Sequence, residues 1–216
     1  MGAGSGTRFG SLKQAERIEG KTLAGIACSV FLSNRAVGRV ILTSPPGRDT
    51  EEFRVKASIP HEVDIIEGGQ TRPESVLKAL YASSAEYVLI HDAARAACRG
   101  ELVDRVIKTM IEKGSAVPAL NPVSTVKIME VEGKLRRVDR GKVFIVQTPQ
   151  GYRRRQILEA YERKSGADHT DSSSVAEEAG IHPCFVEGSP LNIKVTVPDD
   201  MVMLRSILRE ETCEPG

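Results

Sequence analysis

Tyr87-Val88-Leu89-Ile90-His91-Asp92-Ala93-Ala94-Arg95 is an apolar, strand-forming run that ends on an acid and a base where the chain turns. Working outward from it, short β-branched runs recur at Arg39-Val40-Ile41-Leu42-Thr43, Val63-Asp64-Ile65-Ile66 and Ala116-Val117-Pro118-Ala119-Leu120. Between the last two strands, Leu102, Val103, Val106, Ile107, Met110 and Ile111 repeat at the spacing of one helical face. Thr71-Arg72-Pro73-Glu74 reads as a capping box with proline in the first turn, followed by Val76, Leu77 and Leu80 on one face. Strands alternating with helices predict an α/β fold built on a mostly parallel sheet with crossover helices. The pattern changes from Thr125 to Val138, where two strand-like runs flank Glu132-Gly133 as a hairpin. A lone hairpin is marginal in water, so this one is expected to pack on something outside its own core, a partner subunit being the natural candidate. Beyond it the sequence predicts a helix from about Arg153 to Lys164, a Ser-rich helix capped near Asp171, strands near Phe185 and Ile193, and a last helix after Pro198-Asp199-Asp200.

The bulk properties narrow the functional classes. The chain has 216 residues, 40% of them hydrophobic, enough for one compact unit. Thirty basic and 29 acidic residues nearly cancel, which argues against nucleic acid or a membrane surface as partner and makes any anion site local. Cys28, Cys98, Cys184 and Cys213 lack metal or disulfide spacing and read as reduced thiols. With no apolar signal core or membrane-length apolar run, the expectation is a cytoplasmic protein, or a plastid-like stromal one if the true N-terminus carries a targeting segment.

Several segments carry chemistry. Gly2-Ala3-Gly4-Ser5-Gly6-Thr7-Arg8-Phe9-Gly10 is a glycine-rich loop followed by Lys13, in which backbone N–H groups and two cations can balance a triphosphate, although neither the Walker nor the dinucleotide fingerprint is met. A flexible tail is the other reading of those residues. Asp92, beyond the carboxyl end of a strand, is placed to hold Mg²⁺ or a ribose hydroxyl, or else to cap a turn with Arg95 as its ion-pair partner. His91 is expected to orient neighbouring loops rather than transfer protons. Gly68 and Gly69 permit close backbone approach, and the Ser75 hydroxyl can bond a base edge or simply stand in a first helical turn. Lys194, within the β-branched run Asn192-Ile193-Lys194-Val195-Thr196, either meets an anionic ligand or guards a sheet edge. His169, Asp171 and Ser172 share one turn, which is poor geometry for a hydrolytic triad assembled in space, so that reading is rejected.

These pieces, together with Val138-Asp139-Arg140, Thr148-Pro149-Gln150 and Thr170-Asp171, resemble in order and over nearly the whole chain the 2-C-methyl-D-erythritol 4-phosphate cytidylyltransferase family. The resemblance implies a Rossmann-like nucleotidyltransferase fold over residues 1–216, with a dimerisation arm at about 121–143. It implies CTP as co-substrate with Mg²⁺ or another divalent cation, and a polyol phosphate acceptor. Arg8, Lys13 and the backbone of Ala3, Gly4 and Gly6 would hold the CTP phosphates, Gly69 and Ser75 the cytosine, and Asp92 the ribose and metal. Thr125 and Arg140 would reach the sugar phosphate in the partner's site of a homodimer, and Lys194 would contact the incoming phosphate and the α-phosphate. Arg8, Lys13, Lys194 and Arg140 are thus the implied catalytic cations.

Three departures from the family pattern stand out. The family carries an apolar strand before the glycine loop, whereas here Met1 alone precedes Gly2; Leu12 and Ala96 stand where prolines are usual. The alternatives are a cytidylyltransferase for another alditol phosphate, such as ribitol 5-phosphate, and a catalytically dead nucleotide-binding protein.

Overall fold

A computed structural model describes residues 16–18, 20–163, 169 and 171–212. The glycine-rich loop, with Ala3, Gly4, Gly6, Arg8 and Lys13, lies outside the described residues. The described chain begins with a tight antiparallel ribbon, β1 (Arg17–Ile18) and β2 (Lys21–Thr22), leading into α1 (Leu23–Leu32). Thr22 accepts from Gly25 N to cap that helix and donates its hydroxyl to Ala57 O. Next come β3 (Val40–Ser44), α2 (Thr50–Lys56), β4 (Val63–Glu67) and α3 (Arg72–Tyr81). β3 and β4 are parallel, in register from Val40 opposite Val63 to Ser44 opposite Glu67. As the capping box predicted, Thr71 accepts from Glu74 N, while Glu74 turns back to accept from Gln70 N.

β5 (Tyr87–Ile90), α4 (Gly100–Lys113) and β6 (Ser115–Leu120) follow the expected bounds closely. The left-handed Gly114, at φ 86°, ends α4 and turns the chain straight into β6. The arm is the antiparallel pair β7 (Lys127–Met129) and β8 (Leu135–Arg137), shorter than its sequence suggests because Val131–Gly133 curls into a single 3₁₀ turn. After β9 (Ile145–Val146), β10 (Gln150–Arg153) passes antiparallel between β5 and β6, pairing Gln150 with Ile90 and Gly151 with Ala116. Neither short strand is signalled by the sequence, because Gln-Gly-Tyr-Arg has no apolar alternation. Gly151 lets the strand lie close to α4: a Cβ would stand 2.8 Å from Met110 Sδ and oblige that side chain to shift. α5 (Arg154–Arg163), α6 (Ser172–Glu178), β11 (Phe185–Glu187) and α7 (Pro198–Thr212) complete the chain.

The larger sheet runs β11-β6-β10-β5, with β9 also on β6 and β11 parallel to β6. β3 and β4 form a separate two-stranded sheet. Helices cover both, and Leu23, Phe53, Val63, Val195 and Leu204, all fully buried or nearly so, pack between α1, α7 and the smaller sheet.

The strand expected near Ile193 is not formed. Residues 192–196 run without a ladder, because their backbone and polar groups bond to other loops instead: Arg95 donates to Asn192 O and Val195 N donates to Ala94 O. The β-branched side chains are there to fill the core, with Val195 fully buried, so the composition is strand-like without the strand.

Candidate active site

Four segments converge beyond the carboxyl end of β5: the 91–98 turn, residues 147–150 ahead of β10, the 189–196 loop, and the start of α3. His91 joins the first two. Its Nδ1 accepts from the Thr148 hydroxyl at 2.9 Å and its Nε2–H donates to Arg95 O at 3.2 Å, while Thr148 Oγ1 accepts from Asp92 N. Burial lowers the imidazole to about pKa 3, so it is neutral, and with both nitrogens bonded it orients loops, as expected. Asn192 donates to Thr148 O at 2.8 Å and Arg95 donates to Asn192 O at 2.8 Å, tying the third segment to the others. Arg95 is therefore a loop tie, not the ion-pair partner of Asp92.

Asp92 is instead shared by two other cations. Its Oδ2 lies 2.8 Å from Lys194 Nζ and its Oδ1 accepts from Arg72 Nε at 3.1 Å. Burial alone would push this carboxyl up; Arg72 and Lys194 outweigh it and hold it far below the usual carboxylate range. Arg72 is further anchored on Ser172, which also bonds Tyr161 OH. Its Nη2 is buried with no hydrogen-bond partner among the described residues. Arg72 carries no role in the sequence reading. A signal existed: a cation in the first turn of a helix opposes the helix dipole and needs an anion to hold it there. Lys194 is the most accessible of the three, with 39% of its side chain exposed.

The β4–α3 turn forms a second patch. Ser75 is fully buried; its hydroxyl accepts from Gly69 N and donates to Thr71 O, both at 2.9 Å, so in this structure it shapes the turn rather than facing a ligand. Gly68 N donates to Ser44 O and Gly68 O accepts from Lys78 Nζ. A Cβ on Gly69 would fall 2.2 Å from Glu74 Cβ, which excludes any other residue from that fold of the backbone.

The structure thus brings Asp92 and Lys194 together and adds Arg72, with Gly69 and Ser75 at the start of the same α3. Thr125 and Arg140 lie exposed on the arm, where Arg140 donates to Val123 O. Among the described residues no group of three or more His, Cys, Asp or Glu could hold a metal ion. The single carboxylate of Asp92 suits a magnesium ion that takes its other ligands from phosphate and water, and not one caged by protein. No helix among the described residues is long and apolar enough to cross a membrane.

The family model for IspD, 2-C-methyl-D-erythritol 4-phosphate cytidylyltransferase, matches residues 1–210. The chain is 33% identical over 221 residues to the 2-C-methyl-D-erythritol 4-phosphate cytidylyltransferase of Geobacillus thermodenitrificans, covering 99% of this chain and 97% of that protein. It is 34% identical over 211 residues to the bifunctional enzyme IspD/IspF of Anaeromyxobacter dehalogenans, with 95% of this chain matched but only 55% of that longer protein. The crystal structure of 2-C-methyl-D-erythritol 4-phosphate cytidylyltransferase from Thermus thermophilus superposes with a TM-score of 0.79 at 32% identity, over 91% of this chain and 93% of that one.

Proposed function

This chain belongs to the 2-C-methyl-D-erythritol 4-phosphate cytidylyltransferase family, and from that premise we propose that it transfers CMP from CTP to 2-C-methyl-D-erythritol 4-phosphate, releasing pyrophosphate, in isoprenoid precursor biosynthesis. The observation that carries the proposal is the Asp92 carboxylate held between Arg72 and Lys194 at the end of β5.

An oxygen of the acceptor phosphate attacks the α-phosphorus of CTP in line and the bond to the pyrophosphate oxygen breaks. The attacking phosphate is already ionised, so no general base is needed, in keeping with a neutral, fully bonded His91. Catalysis is then positioning plus stabilisation of charge on the oxygens around phosphorus. Lys194 is the cation free to exchange Asp92 for those oxygens, since Arg72 remains to hold the carboxylate. Arg8 and Lys13, with the backbone of Ala3, Gly4 and Gly6, hold the CTP phosphates. Mg²⁺, bound by Asp92 and phosphate oxygens, would supply further charge neutralisation.

The base lies against the backbone at Gly69, in a turn that the buried Ser75 hydroxyl holds in shape. The Ser75 hydroxyl meets both the Gly69 N–H, at 2.9 Å, and the Gly69 carbonyl, at 3.4 Å, and the carbonyl keeps a second lone pair for the amino group of cytosine. Thr125 and Arg140 reach the sugar phosphate from the arm of a second subunit in a homodimer. Support for that assembly is the apolar surface of the arm: Val123, Met129 and Val131 are 90%, 74% and 87% exposed. A pyrophosphate-release assay with CTP against a panel of polyol phosphates tests the reading. Turnover with 2-C-methyl-D-erythritol 4-phosphate above the others is expected; preference for ribitol 5-phosphate would move the substrate assignment, and no release with any acceptor would remove the activity.

A further inference from the structure

Lys194 has to be held in place to serve phosphate, yet residues 192–196 belong to no ladder. A lysine ammonium rides on a flexible four-carbon stem, so its position depends on the backbone beneath it. Beyond Lys194 that backbone is fixed by Asp200, whose Oδ2 accepts from Thr196 N at 2.6 Å and from Thr196 Oγ1 at 2.8 Å. Ahead of Lys194 the chain turns sharply: Asn192 N donates to Ser189 O at 3.1 Å and Leu191 N donates to Ser189 Oγ at 3.3 Å. Pro190 stands second in that turn, where its fixed φ fits. Ser189 is therefore the foot of the loop that carries Lys194.

The main-chain groups of Ser189 are gripped by one side chain. Gln147 Oε1 accepts from Ser189 N at 3.0 Å and Gln147 Nε2 donates to Ser189 O at 2.8 Å, with Asn192 O also within 3.5 Å of that nitrogen. A primary amide offers a donor and an acceptor side by side, so it pairs with a residue's N–H and C=O as a neighbouring strand would. Gln147 is buried, and its own N–H is committed to Pro118 O on β6 at 2.8 Å, so the amide hangs from the larger sheet. Gly188 allows the close approach: a Cβ there would stand 2.6 Å from Gln147 Oε1. The next residue, Thr148, accepts from Asp92 N through its hydroxyl and from Asn192 Nδ2 through its carbonyl. Two consecutive residues thus hold the two members of the ion pair, Thr148 the turn of the acid and Gln147 the loop of the base.

We propose that Gln147 is a positioning residue for the transfer: its side-chain amide stands in for the ladder that the Lys194 loop lacks, and sets Lys194 where it can pass from Asp92 to phosphate. The proposal rests on the CMP transfer inferred above. Gln147 touches no reacting atom and acts through Lys194 alone. Methionine, of similar size, would fill the same space and drop both bonds. Ser189 is half-buried, so water can satisfy the groups set free and such a chain is expected to fold.

Gln147→Met, compared with the parent chain, tests this. kcat should fall about 10- to 10²-fold, the cost of displacing a reacting group by about 1 Å. KM for CTP should stay within about twofold, because the residues proposed to hold the base and the other phosphates are untouched. In a Lys194→Ala background the same substitution should cost no further turnover, since changes that act through one group are not additive. On the folded protein without substrates, acetylation of Lys194 by acetic anhydride, followed by peptide mass, should quicken severalfold while that of the exposed Lys108 on α4 does not. Gly188→Ala keeps the amide in the chain but drives it off Ser189, and should repeat all of these results. The proposal is overturned by near-normal kcat, by equal losses of turnover with and without Lys194, by a KM for CTP that rises as kcat falls, or by unchanged acetylation of Lys194 in either folded variant. If the parent chain transfers no CMP, the functional reading fails, and the acetylation comparison by itself decides whether Gln147 places Lys194.

Discussion

Asp92 is poised by two partners with different duties, and single substitutions separate them. Lys194→Ala removes the exposed cation but leaves Arg72 on the carboxylate. It is expected to lower turnover on the order of 10²–10³-fold, the cost of deleting one preorganised donor, with a small change in thermal midpoint. Arg72→Ala also removes the buried anchor on Ser172, so it should lose comparable activity and be the less stable of the two. Turnover and melting measured on both variants check the split; a near-normal rate in folded Lys194→Ala would sink the assignment. His91 gives a different signature. Its folded pKa, about 3, is below the ordinary 6.5, so between those values the unfolded chain takes up a proton that the folded chain refuses. The stability that His91 confers is complete above pH 6.5 and declines as pH falls, by at most about 1.4 kcal/mol per pH unit. Asp92, also depressed, adds its own loss at lower pH. His91→Gln should therefore be less stable at pH 7 yet show a flatter decline from pH 6.5 to 4, read by denaturant unfolding across that range.

At the scale of elements, the β4–α3 turn and the arm each carry a prediction. Gly69→Ala would force its Cβ into Glu74, displacing the turn proposed to present the base. A rise in the KM for CTP of tenfold or more, with kcat less affected, is expected; an unchanged KM would detach the turn from nucleotide binding. For the arm, an Arg140→Ala chain mixed with a Lys194→Ala chain should recover part of the lost activity, since one hybrid site receives both native residues. No recovery after verified subunit exchange would place Arg140 in its own subunit's site. The strands β3 to β6, the cap at Thr71 and the turn at Asp92 were legible because each rests on local pattern: apolar runs, a capping box, an acid closing a strand. β10 was not, because its place between β5 and β6 is fixed by tertiary fit, Gly151 against Met110 and the fully buried Gln150 bonded to Asp171, and no alternation announces it. Lys194 was found with the wrong local structure: β-branched neighbours predicted a strand where long-range hydrogen bonds had already claimed the backbone. Arg72 is silent in the sequence because a cation at the start of a helix acquires meaning only beside Asp92, twenty residues later.

Over the whole molecule, the proposed nucleotide site straddles two sheets. The base patch at Gly69 follows β4 of the smaller sheet, while Asp92 follows β5 of the larger one. Selection among nucleotides belongs to this scale. A carbonyl acceptor at Gly69 that welcomes the amino group of cytosine would face the carbonyl of uracil, and an unsatisfied buried polar group costs about 1–3 kcal/mol. Equimolar CTP, UTP, ATP and GTP in competition should give strong preference for CTP; equal use of UTP would remove the base assignment. The division of the sheet has a further, mechanical meaning. A ligand that gripped one half by its base and the other by its phosphates, as proposed, would act as a cross-brace between parts that no ladder connects among the described residues. Cytidine or pyrophosphate alone can each occupy one anchorage and leave the joint loose. Melting the protein with each fragment, with the two together and with CTP would then show rigidity arriving with the covalent link and not with the sum of its ends.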